Sequence, residues 1–176
     1  MRRRIIGALG IVLAVGLTLG ASISPAAQRA SGPESFRGVL VASGESGART
    51  VTSSLIVTRG VFTGVGTIVE VPNWPGDSDA VTRDDLVFPQ GKMHLVSTNK
   101  SFNVTVDPKT CAVKVRIRQT GKIIGGTGKF RHAHEAGIGR VSGRGVAFRN
   151  PDGSCSQKRA LTLEVDLVFS HGTLSL

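Results

Sequence analysis

The stretch Ile123-Ile124-Gly125-Gly126-Thr127-Gly128-Lys129-Phe130-Arg131-His132-Ala133 limits the fold more tightly than any other part of the chain. Two apolar residues run into three glycines within four positions, and an aromatic residue follows. This pattern predicts a strand that ends in a tight turn. Glycine reaches φ > 0, or lets a neighbouring backbone come close, at a cost no residue with a Cβ matches. Phe130 then returns a large apolar group to the core.

The segments around this turn have a period of two. Phe102, Val104 and Val106 alternate with Asn103, Thr105 and Asp107, and Val113, Val115 and Ile117 alternate with Lys114, Arg116 and Arg118. Leu161, Leu163, Val165, Leu167 and Phe169 do the same against Thr162, Glu164 and Asp166. Alternation on this scale predicts strands with one wet face. Further strands are expected over residues 36–42, 50–58, 61–71, 83–88 and 93–98, with a turn at Asn99-Lys100. Residues 31–35 read as a polar lead-in, 131–137 as a short helical turn, and 139–145 as a flexible basic link before a short strand at 146–148. The last strand is expected over 159–170. No segment past residue 30 shows a helical period. Short strands with regular turn clusters indicate an all-β barrel or sandwich.

Gly125-Gly126-Thr127-Gly128-Lys129-Phe130-Arg131, with Ala133, resembles the GGTG-x-F-x-x-A signature of dirigent proteins and, more loosely, of allene oxide cyclases. Just downstream, His134-Glu135 stands where dirigent proteins usually carry Arg-Gly. The resemblance implies a single eight-stranded antiparallel β-barrel over residues 31–176. It further implies a lumen that folds an epoxide, as in the cyclases, or steers a reactive phenolic intermediate, as in dirigent proteins. It assigns no functional residue here.

Residues 1–30 read as a secretory signal peptide: Arg2-Arg3-Arg4, an uncharged apolar run from Ile5 to Leu19, then an Ala- and Ser-rich segment. Cleavage is expected after Ala26 or Ala30, and the arginines fit general or twin-arginine export. The apolar run is short for a bilayer span, so no stable membrane insertion is expected after cleavage. Export to an oxidising compartment favours pairing the two cysteines, Cys111 with Cys155. Removing Arg2, Arg3, Arg4 and Arg29 with the leader lowers the net charge from +10 to +6. The remaining basic residues look dispersed and there is no tyrosine for base stacking, which argues against nucleic acid as a partner.

Sharp catalytic motifs are absent. There is no Gly-x-Ser-x-Gly elbow, and the glycine turn lacks the Lys-Ser/Thr ending of a phosphate loop. His132, His134 and Glu135 suggest a metal trio but lack further ligands at short spacing, so neither metal nor cofactor is expected. Arg83, Asp84 and Asp85 are the candidate catalytic residues, with Asp84 on the face of Leu86 and Phe88. Trp74, in the long loop 72–79, and Phe130 are candidates for the mouth of a ligand site, and Leu163 for its lumen. The expected function is that of a secreted barrel binding a small apolar or aromatic molecule. A cyclase or isomerase and a dirigent-like template are the alternatives.

Overall fold

Eight strands run up and down in sequence order: β1 (Ser31–Ser43), β2 (Thr50–Gly60), β3 (Gly64–Val71), β4 (Val81–Phe88), β5 (Gly91–Val106), β6 (Ala112–Gly126), β7 (His134–Val146) and β8 (Leu163–Ser175). In this computed structural model, which describes residues 30–44 and 48–176, each strand pairs antiparallel with the next and β8 closes on β1. Closure leaves the sheet without a first or last edge strand. The expected leader, residues 1–29 of it, lies outside the described residues. Ser31 to Ser35 is not a loose lead-in: these residues pair with the end of β8.

One end of the barrel is solid. Phe62, Phe88 and Phe130 meet edge to face with ring centroids 4.9–5.6 Å apart, and Met93, Ala133 and Leu174 pack around them with no exposure. The glycine motif makes this plug possible. Thr127 N donates to Lys92 O at 2.9 Å, and Lys129 N donates to Gln90 O at 3.0 Å, so the motif folds over the β4–β5 turn. A Cβ on Gly126 would lie 1.9 Å from Lys92 O, and Gly128 sits at φ 56 against Gln90 O. A 3-10 turn over Gly128–Phe130 then drops the Phe130 ring into the core.

Three stretches differ from expectation. β5 runs through Asn99-Lys100 without turning, because a bulge between Asn99 and Ser101 absorbs the irregularity. β7 is one continuous strand where a helical turn and a flexible link were expected. Its inward positions Gly137, Gly139, Val141, Gly143 and Gly145 alternate with outward Ile138, Arg140, Ser142 and Arg144, so the glycines are wall rather than hinge. In β8 the faces are reversed. Leu163 and Leu167 are exposed, while Glu164, Asp166, Val168 and Ser170 face the lumen. Periodicity sets which residues share a face but not which face is inside, and a one-residue shift exchanges the two.

The reversal also relocates charge. Lys114, Arg116 and Arg118 of β6 do not oppose Glu164 and Asp166; their neighbours on β7 include Arg140 and Arg144. The basic residues therefore gather on one exterior face instead of being dispersed. Cys111 and Cys155 form a disulfide with a Cα–Cα separation of 5.4 Å. It fastens the long β7–β8 connection to the turn before β6, two strands away from β8, rather than joining adjacent strand ends.

Candidate functional site

Above the aromatic plug the lumen is open. An eight-stranded barrel is just wide enough to be filled by side chains or to hold one small ligand, and which occurs depends on side-chain size. Here β7 contributes mostly glycine, and Gly121 on β6 pairs with Gly137, which pairs with Gly172 on β8. The cavity left has a volume of about 440 Å3, within the range of ligand sites. Its middle is apolar, lined by Phe36, Leu40, Ile56, Ile68, Leu86 and Val168. Its two ends are acidic.

At the mouth, Arg49 enters from the β1–β2 connection and binds three carboxylates. It contacts Glu70, lies 2.7 Å from Glu164 and reaches Asp166 at 3.2 Å. Burial opposes the charge on Arg49, but Glu164 and Glu70 outweigh it and hold the guanidinium firmly protonated. Burial pushes Asp166 up to about 6, helped by Glu164 and opposed by Arg49. Asp84 is also pushed to about 6, by burial first and then by Glu70. Asp166 Oδ1 has no hydrogen-bond partner and lies where a Cβ on Gly143 would come within 2.4 Å.

At the floor sits Glu135, 7% exposed, with Oε1 unpartnered. Glycine provides its seat: a Cβ on Gly137 or Gly172 would fall 2.5 or 2.3 Å from Oε1. Burial, and then the charge of Glu34, pushes Glu135 up to about 7. Glu34, itself raised by burial, accepts a hydrogen bond from Phe62 N at 2.9 Å and backs the plug. Ser97 Oγ on β5 is a third unpartnered group on the cavity wall.

The residues singled out from sequence are scattered across this picture. Asp84 lines the cavity on the same face as Leu86. Asp85 points outward; burial raises it, but His94 at 2.6 Å and Lys92 at 3.2 Å together hold it below the usual carboxylate range. Arg83 lines the rim, bound to Asp77 at 2.7 Å and stacked 3.7 Å over Trp74. Trp74 is 59% exposed and outside the cavity wall, where Asn73 beside it takes that place. Phe130 is fully buried in the plug, not at a mouth. Leu163 is 50% exposed on the exterior, so it cannot line the lumen. His132 and His134 are exposed while Glu135 turns inward.

Sequence reasoning missed Glu34 and Arg49, weighed Glu135 only beside His132 and His134 as a metal ligand, and put Glu164 and Asp166 on the wet face of the last strand. Two signals pointed to the lumen: the glycines on one face of β7, and the two acids at alternate positions 164 and 166 of β8. No protein-family model, curated protein or solved structure matches the chain.

Proposed function

We propose that the protein is an exported barrel that holds one small molecule with an apolar or aromatic body in its lumen. The observation that carries this reading is the cavity of about 440 Å3, room for on the order of fifteen waters. Its apolar middle would be poorly hydrated if left empty, and burying apolar ligand surface there is favourable by about 25 cal/mol per Å2. Export is supported by the leader-like N-terminus and by the Cys111–Cys155 bridge, which suits an oxidising compartment. The closed eight-strand meander with the glycine motif against the β4–β5 turn supports kinship with dirigent proteins and allene oxide cyclases.

A neutral probe, N-phenyl-1-naphthylamine, tests the reading. It is expected to gain fluorescence on binding at one site per chain. Val168→Trp, which fills the lumen, should abolish binding, and Leu163→Trp, outside the barrel, should leave it unchanged. Binding unaffected by Val168→Trp would remove the lumen from the argument.

A second reading, a cyclase or isomerase, is favoured by Glu135 alone. A carboxyl pushed up to about 7 is poised to give or take a proton near neutral pH. Native mass spectrometry of protein from its own culture medium would identify a retained molecule. Its conversion by the wild-type protein but not by Glu135→Gln would establish catalysis.

A further inference from the structure

We infer that the lumen ligand is an organic cation: an apolar body ending in an ammonium group that meets Glu135 at the cavity floor. The inference rests on lumen binding and adds the chemical class of the ligand.

The charges around the cavity do not balance. Five carboxylates line it, those of Glu70, Asp84, Glu135, Glu164 and Asp166, against the arginines Arg49 and Arg83. Arg83 is already committed to Asp77 through Nε and Nη2 at 2.7 and 3.1 Å, and its guanidinium stacks on Trp74. Arg49 is shared among three carboxylates at the mouth. Among the described residues nothing donates to Glu135, although it is more than nine-tenths buried and faces the cavity. Asp166, equally buried, keeps Oδ1 unpartnered. Buried polar groups are nearly always satisfied, and an unpaired buried carboxylate is among the most unfavourable arrangements a protein keeps. A ligand that brings a charged donor would complete the site.

The cation is organic rather than a bare metal ion. Among the described residues no three His, Cys, Asp or Glu side chains converge as a metal site. The acids are separated by the apolar belt of Phe36, Leu40, Ile56, Ile68 and Leu86, which matches a hydrocarbon or aromatic body instead. Anionic ligands are disfavoured by the same count, since among the described residues the only lumen arginine not bound outside the cavity, Arg49, is already outnumbered by its partners.

Three probes with one aromatic body and different charge provide the test: 1-naphthylmethylamine, 1-naphthylmethanol and 1-naphthoate. Titration calorimetry on the folded, disulfide-bonded protein, at about pH 8 where the amine is protonated and Glu135 is ionised, should show the amine binding once per chain. Its affinity should exceed that of the alcohol by about tenfold or more, as a buried charge-assisted bond allows, with no detectable binding of the carboxylate. Glu135→Gln should lower amine affinity by a similar factor and leave alcohol binding unchanged, and Val168→Trp should eliminate both. Equal affinity for alcohol and amine, or an amine affinity indifferent to Glu135→Gln, would overturn the cation while leaving lumen binding intact. Failure of all three probes and of the neutral fluorophore would overturn both.

Discussion

Replacing Glu135 with Gln should make the protein more stable above neutral pH, the opposite of what removing a buried charged group usually does. Burial raises this carboxyl from 4.5 to about 7. In the native state it therefore keeps its proton through a pH window in which the unfolded chain has released it. Stability falls as pH rises from about 4.5 to about 7 and levels off above, because the native state binds the extra proton only inside that window. At about 1.4 kcal/mol per unit the full penalty is about 3 kcal/mol; water entering the open lumen reduces this to about 2 kcal/mol. Gln keeps the shape and cannot ionise. Wild type and variant should unfold alike near pH 4 and separate through pH 7. At pH 8 the variant should lead by about 2 kcal/mol, or about 6 °C in Tm for a domain of this size. Thermal unfolding followed by circular dichroism at several pH values measures this directly. Glu34 supplies a second check, since its charge adds to the shift, so the gain should shrink in a Glu34→Gln background. A constant offset at all pH values, or a variant less stable at pH 8, would refute the buried, unpaired placement of Glu135.

Arg49→Met leaves Glu164, Asp166 and Glu70 without their shared partner, so it should destabilise by about 2 kcal/mol at pH 8. The loss should be smaller at pH 4, where Asp166, pushed up to about 6 by burial, is protonated and no longer repels its neighbours, and equal losses would show the cluster is not formed. Thiol labelling of unreduced, denatured protein should find no free cysteine, and reduction should cost about 4 kcal/mol in the loop-entropy model for a separation of 44 residues. Gly126→Ala drives a Cβ to 1.9 Å from Lys92 O and should cost about 3 kcal/mol or more, whereas Gly121→Ala, with its nearest contact at 3.4 Å, should be tolerated. Similar denaturation midpoints for the two would show that the motif does not pack against the β4–β5 turn.

The barrel itself was legible because the turn motif and the alternating segments agree with each other. The site was not, and particular residues show why. In β8, Leu163, Val165, Leu167 and Phe169 make a more apolar face than Glu164, Asp166, Val168 and Ser170, so hydrophobicity alone puts the wrong one inside. What decides the matter is distant in sequence: Arg49, 115 residues from Glu164, pairs with the inward acids of β8, and the glycines of β7 give them space. In β7 the difficulty is glycine. As an isolated residue it weakens a strand and marks a break, yet Gly137, Gly139, Gly143 and Gly145 all fall on one face with Val141, while Ile138, Arg140 and Arg144 fall on the other. Read as alternation between small and large, that stretch is a strand whose inner face carries only Glu135 and Val141 among its glycines. Asp84 could be placed because its neighbours Leu86 and Phe88 share its face and Asp85 does not.

The glycines and the acids are parts of one arrangement. A barrel of eight strands built for stability alone would fill its lumen with branched side chains, and Leu or Val at the inward positions of β7 would do so. Here glycine occupies four of those positions, with Val141 among them, and the space gained is bordered by carboxylates that no cation among the described residues of the lumen fully neutralises. Each departure lowers stability: inward glycine forgoes packing and adds chain entropy, and each raised carboxyl opposes folding above its unfolded pKa. The aromatic plug of Phe62, Phe88 and Phe130 and the Cys111–Cys155 bridge work in the other direction, at opposite ends of the barrel. Local rules that fail together, around one cavity, while the surrounding frame satisfies them, fit the ligand site proposed above better than a poor core. The lumen is also where the sign of the charge inverts, from a basic exterior on β6 and β7 to an acidic interior. A ligand that is apolar along its length and cationic at its end is the one for which both departures become favourable contacts at once.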